Sequence, residues 1–411
     1  MTHRPLARRV RSERGSALIF VAIAIFVLTG FSTFVLDHGV MWLARGQAQN
    51  AADAGALAGA IARAFDETDD PPTADGAAFD SAFNATQANL VLSEVPGIAV
   101  SWDCPTFVAG SKCVRVDAFR DGTNGSTALP TFFANLFGLT SQDVRATATA
   151  RVAFGNAVNC MRPFAVADKW LEQAADPQRY NHWKKVSGTL SELNPHDIYG
   201  PPGSGNSTGY KVTNPDGTPA DIGTELVMKS GIPSESESGI EPGWFLATQL
   251  PDGDGGWYSG AQDYKWAIAN CIGNPVGIGD YLPTETGVMV GPTQQGFNLL
   301  KATDPYATWN DATDTVDNSC APDCGPFSPR IIPIAVFDMD DFQKRNITQD
   351  WSDCPIGGQC VRVVNILGFF ASHMAGSDIV GYLVMYPGEF VVGNPAVDVD
   401  EAFLVSVQLV R

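Results

Sequence analysis

Positive charge is scarce in this chain of 411 residues: 26 Lys and Arg stand against 45 Asp and Glu, a formal net charge of −19. Nucleic-acid binding is driven mainly by cationic side chains that neutralise phosphates, so this balance argues against nucleic acid as a partner. Charge of either sign is thin, at 17% of residues, while hydrophobic residues reach 45%. That is too apolar for a disordered chain. Catalytic signatures are thin as well. Pro202-Gly203-Ser204-Gly205 lacks the Gly-x-Ser-x-Gly spacing of a nucleophile elbow and reads as a flexible loop. Neither a Gly-x4-Gly-Lys-Ser/Thr phosphate loop nor a dinucleotide fingerprint after a strand occurs. The five histidines, His3, His38, His182, His196 and His373, are scattered, so no metal ligand set is expected. On this reading the chain is expected to carry no cofactor, to take no small-molecule substrate and to have no enzymatic role.

What is present begins with a basic start. Arg4, Arg8, Arg9, Arg11 and Arg14 against Glu13 give residues 1–16 a net +4, so the remainder carries −19 − 4 = −23. Residues 17–36, ALIFVAIAIFVLTGFSTFVL, are twenty in a row without a charge. As a helix they span about 30 Å, the thickness of a bilayer core. Flanking arginines stay in the cytoplasm, which puts the N-terminus inside and the chain after Asp37 outside. A cleaved secretory signal has an apolar region of only about 7 to 15 residues, shorter than this one. Prepilin-type processing after Gly15 would keep the helix, but Phe20 stands where that class usually has Glu. Eight cysteines fit an oxidising compartment better than zinc. Cys104 with Cys113, and Cys354 with Cys360, flank short loops and could close locally. Cys160 and Cys271 could pair over a long span, leaving Cys320 and Cys324, and the connectivity stays open.

Domains commonly run about 100 to 200 residues, so two domains and an anchor are expected. Residues 40–65 lack Pro and are rich in Ala, so the apolar helix is expected to run straight on. Ala48, Ala51, Ala52, Gly55 and Gly59 recur at three- and four-residue spacings and place small side chains along one strip. Gly55-x-x-x-Gly59 would admit a close helix, either from its own domain or from another subunit. A loop over 66–76 and a helix over 77–92 should follow, then strands over 98–102, 114–119 and 144–154 with a short helix over 129–139. The fold class is α+β: a helix packed on a small antiparallel sheet through residue 158, in a pilin-like layout. From 159 to 411 the chain becomes rich in Gly, Pro, Trp and Asp. Loops are expected over 200–207 and 233–243, the latter holding Ser-Glu-Ser-Glu-Ser. A helix is expected over 294–300, and strands over 330–337, 360–370, 379–386 and 403–410. This reads as a mainly β domain with irregular insertions.

Asp252-Gly253-Asp254 resembles part of a calcium loop but lacks the downstream Glu, so a solvated turn is preferred. Asp338, Asp340 and Asp341 read as an exposed strand end. Trp244, Trp257, Trp266 and Trp309 read as core or loop anchors. A carbohydrate-binding surface is the alternative.

Arg14-Gly15-Ser16, the apolar run, Asp37, Leu43-Ala44-Arg45 and the string QNAADAGALAGA over 49–60 resemble the N-terminal segment of TadG-like (TadE/TadG family) proteins, components of bacterial tight-adherence (Tad, or Flp pilus) systems. TFFANLFG over 131–138 and ATATA over 146–150 resemble the end of that family's pilin-like region. Cys271, Ile278-Gly279-Asp280, GPTQQG over 291–296, DPYATW over 304–309 and RIIPI over 330–334 resemble the extracytoplasmic part of one branch. Some relatives carry a von Willebrand A domain with Asp-x-Ser-x-Ser; Asp350-Trp351-Ser352-Asp353-Cys354 departs from it, which puts an integrin-like metal site in doubt. The resemblance implies a single-pass protein of the bacterial cytoplasmic membrane with a periplasmic or extracellular body. It would act as a non-enzymatic pilus-assembly factor, with the lipid bilayer and other pilin-like or Tad secretion subunits as partners. Ala48, Ala52, Gly55 and Gly59 are the expected contact with partner helices, and a surface adhesin that binds glycan is the alternative.

Overall fold

The computed structural model describes residues 14–65, 72–106, 112–132, 134–174, 179–214, 218–230, 243–287 and 289–410. The basic start, the acidic loop 66–71 and the Ser-Glu run lie outside them. The chain forms two compact units, residues 1–152 with 407–411, and residues 153–406.

In the first unit, helix α1 (Arg14–Phe65) runs unbroken for 52 residues, about 78 Å at 1.5 Å per residue. No proline interrupts it. Helix α2 (Ala77–Gln87) starts after an extended Gly76 and buries Ala78, Ala82 and Thr86. Strands β1 (Gly97–Ser101), β2 (Lys112–Arg120) and β3 (Val144–Phe154) pair antiparallel. The C-terminal residues 407–410 lie beside β3, and Arg151 Nη2 donates to Gln408 Oε1 at 2.9 Å. The burial of β3 alternates at its start with period two, as a half-covered strand requires. One apolar cluster joins Ala51, Ala52, Ala56 and Ala60 of α1 to Ala82, to Val114, Val116 and Ala118 of β2, and to Ala148 and Ala150 of β3. The helix expected over 129–139 is instead a short ladder, Leu129–Pro130 with Ser141–Gln142, around a 3-10 turn Ala134–Phe137. Its apolar spacing reads as helical, but the segment closes on itself as a hairpin loop.

The second unit contains β4 (Phe164–Ala167), the hairpin β5 (Trp183–Val186) and β6 (Thr189–Glu192), β7 (Glu225–Ser230), β8 (Trp244–Ala247), α3 (Gly260–Ala269), β9 (Tyr281–Pro283), α4 (Val290–Thr303), β10 (Ile331–Phe337), α5 (Met339–Thr348), β11 (Cys360–Ala375) and β12 (Asp378–Val384). Strands β10, β4, β8, β7, β12 and β11 follow one another in hydrogen-bonded order, and β11 closes back onto β10, making a six-stranded barrel. Two of the pairings, β10 with β4 and β7 with β8, are parallel. Closure depends on the 16 residues of β11, which pair with β10 over 363–370 and with β12 over 368–375. All six strands contribute to one buried cluster, from Phe164 and Met228 to Phe369 and Leu383, and Tyr264, Ile268, Phe297 and Leu300 of α3 and α4 join it. The alternate residues, among them Ala165, Leu246, Phe337 and Ile366, pack under Phe342 of α5 in a second cluster. A closed barrel has no sheet edge to protect; β9 adds outside it, on β11.

Candidate functional site

Along α1 the side chains of residues 18–28 and of Phe31, Phe34, Val35 and Leu36 face outward, with Phe20 71% and Phe26 68% exposed. The helix is long and apolar enough to cross a membrane. Asp37, where the apolar run ends, is buried. Its Oδ1 accepts from the Phe132 amide at 2.9 Å and its Oδ2 from the Ala134 amide at 2.7 Å. Phe132 and Leu139 of the latched loop are each 63% exposed.

Beyond Asp37 the helix turns its small-residue strip inward. Ala48 and Ala52 are fully buried. A Cβ on Gly59 would stand 2.8 Å from both Ala82 Cβ and Val114 Cγ1, and one on Gly55 would overlap the Thr86 hydroxyl. Within the chain, α2 packs on this strip at Gly55 and Gly59, while Ala48 packs with Val91, Leu129 and Val144. The sequence names the close approach without naming which helix makes it. The opposite face, with Gly39, Leu43, Gly46, Asn50 and Ile61, stays exposed, and Gly39 and Gly46 have open space where a Cβ would be.

The cysteines join as Cys104–Cys113, Cys160–Cys271, Cys320–Cys324 and Cys354–Cys360. Asp252 Oδ1 accepts from the Asp254 and Gly256 amides at 2.9 and 2.8 Å, which makes the Gly-rich acids a closed turn. Asp338, Asp340 and Asp341 are not an exposed strand end. Asp338 caps α5 by accepting from the Asp341 amide at 2.9 Å, and Asp340 and Asp341 fill the first turn, where carboxylates are favourable. The four tryptophans do not make one platform. Trp244 is buried in the second cluster, Trp257 packs against it, Trp309 stacks on Tyr382 at 4.6 Å, and Trp266 lies against Tyr258 at 5.6 Å.

One end of the barrel holds a cavity of about 430 Å³ lined by Asp168, Trp170, Tyr210, Asp221, Glu225 and Leu383 among others. Asp168 follows β4 directly, and its carboxylate accepts from the Lys169 and Tyr210 amides at 2.9 and 3.2 Å and from the Tyr199 hydroxyl at 3.3 Å. Burial outweighs these bonds and pushes its carboxyl up to about 7. Burial likewise raises the Tyr210 hydroxyl. Lys169 pairs with Asp221 and lies over the Tyr210 ring. An aromatic-walled, carboxylate-lined mouth of this kind suits a polyhydroxylated or cationic group. No spacing in the sequence signals it, because the residues come from four separate segments.

Metal-ligating groups converge in two places among the described residues: His182 with Glu192 and His196, and Asp304 with Cys320 and Cys324. The second is closed to an ion, since its cysteines form a disulfide.

The chain thus joins a helix that is long and apolar enough to cross a membrane in its first half, and alanine-packed in its second, to a disulfide-linked β body. Residues 15–63 match the family described as putative Flp pilus-assembly TadE/G-like, and so the N-terminal segment carries that family's domain. No curated protein and no solved structure matches the chain.

Proposed function

We propose that the chain is a non-enzymatic, membrane-anchored assembly factor of a Tad (Flp) pilus or of its secretion apparatus. The reading rests on one coincidence: the TadE/G-like match over 15–63 covers the outward-facing apolar helix and its alanine-packed continuation. The helix holds the chain in the cytoplasmic membrane with its N-terminus inside, and the acidic body meets partners outside. In this proposal α1, α2 and the sheet form a pilin-like module. Because the chain's own packing covers the inner strip, scaffolding uses the open face of α1 around Gly39, Leu43, Gly46, Asn50 and Ile61, where two glycines allow another helix to come near.

The test is the amount of major pilin sheared from cells with and without this protein, at equal total pilin. Loss of sheared filament with pilin retained in the cells is expected. Unchanged filament would overturn the assembly role and favour a tethered adhesin whose ligand site is the barrel mouth.

A further inference from the structure

We propose that His182, Glu192 and His196 form a binding site for a divalent ion of the zinc class. One ligand atom from each lies within 4.8 Å of the others. The fold, not a sequence motif, assembles them. In the β5–β6 hairpin Trp183 stands opposite Glu192, and the Leu193 amide donates to the His182 carbonyl at 2.8 Å. This fixes His182 and Glu192 at the open end of the hairpin. The chain then doubles back, and the His196 ring comes to lie over the His182 ring with centroids 4.3 Å apart.

Both rings are oriented from behind. His182 Nδ1 is 2.7 Å from Asp340 Oδ1, and His196 Nδ1 is 3.0 Å from the Asp197 carbonyl. A carboxylate and a carbonyl only accept hydrogen bonds, so each ring carries its proton on Nδ1 and presents the Nε2 lone pair. An outer carboxylate or carbonyl that fixes the tautomer is the usual support of a metal-bound imidazole. The supports are themselves held. The Tyr180 hydroxyl donates to Asp340 at 2.8 Å, and Lys344 pairs with it at the same distance. The fully buried Asp197 accepts from the Gln173 and Ala174 amides at 2.8 Å and the Asn181 amide at 2.7 Å.

Two imidazoles and one carboxylate suit zinc rather than calcium or magnesium, which take oxygen ligands. Around an ion at about 2.0 to 2.2 Å the three atoms must draw together. The exposed side chain of Glu192 and a turn of the His196 ring supply that movement, and a fourth position is left for water. Zinc would then clasp the hairpin to the loop that follows it.

The full-length chain in detergent, freed of any affinity tag and treated with chelator, is titrated with Zn2+ alone and its bound metal counted. One ion per chain is expected. The double variant Glu192→Gln, His196→Gln should bind at least the 10- to 100-fold more weakly that loss of an outer-shell partner alone costs. Neither change touches the barrel core, and an unchanged metal-free melting curve verifies that the variant is folded. No uptake by the unmodified chain, or equal uptake by it and the variant, would overturn the proposal.

Discussion

Replacing Gly55 with alanine should loosen α2, and the size of the effect follows from what the new Cβ meets. It would overlap the Thr86 hydroxyl and stand 2.9 Å from the Ala82 carbonyl. Thr86 cannot swing away without breaking its own bond to that carbonyl, 2.7 Å long. Overpacking of this kind costs about 1 to 3 kcal/mol, and removing glycine from a helix interior returns about 0.5 to 1 kcal/mol. The net loss is about 1 to 2 kcal/mol, a factor of roughly 5 to 30 in the opening equilibrium. Hydrogen exchange of the α2 amides, followed by mass spectrometry on the full chain, reads this factor. Thr86→Ala removes the nearest obstacle, so Gly55→Ala in that background should cost about 1 kcal/mol less, the coupling expected of residues in contact. Gly46→Ala is the control: with open space at that site it should leave α2 exchange unchanged. Equal exchange in Gly55→Ala and the parent, or the same increment with and without Thr86, would refute the packing described for the strip.

The second unit should be less stable at high pH, because Asp168 is raised from 3.8 to about 7 in the folded state. Its stability contribution is complete below the unfolded value and lost as pH rises through the folded one, amounting to about 4 kcal/mol. Melting curves should therefore fall between pH 4 and pH 8 by a margin that Asp168→Asn removes; an equal slope in both would contradict this. Cys160–Cys271 closes a separation of 111 residues and Cys320–Cys324 one of 4. The first should be worth about 4 to 5 kcal/mol by chain entropy, so paired Cys→Ala variants should lower the melting temperature far more at the first bridge than at the second.

Local patterns were legible. The uncharged run, the proline-free alanine stretch and the period-two alternation of β3 each encode an element by themselves, and the observed β3 spans Val144–Phe154 as its alternation implies. Long-range pairing was not. The barrel closes through β11 meeting two neighbours, and nothing in its β-rich composition distinguishes that from an open antiparallel sheet. Helix α5 was missed because the acids after β10 read as an exposed edge, whereas Asp338 caps the helix. Short β4 and β8, four residues each, are too brief to show a period. The barrel-mouth carboxylates, and His182 with His196, are neighbours only after folding, so their separation in sequence concealed them.

The bond between Asp37 and the amides of Phe132 and Ala134 gives the chain a waterline. With the apolar run in a bilayer, sinking the helix by one turn, about 5.4 Å, would carry a buried carboxylate and the loop fastened to it into hydrocarbon, at the expense of burying charge. Rising by the same amount would strand Val35 and Leu36 in water and lift Phe132 and Leu139 with them. The depth at which the anchor rides is thus written into a contact made 95 residues further along the chain, so a pull on the folded unit reaches the membrane through the helix as a fixed load and not as slack.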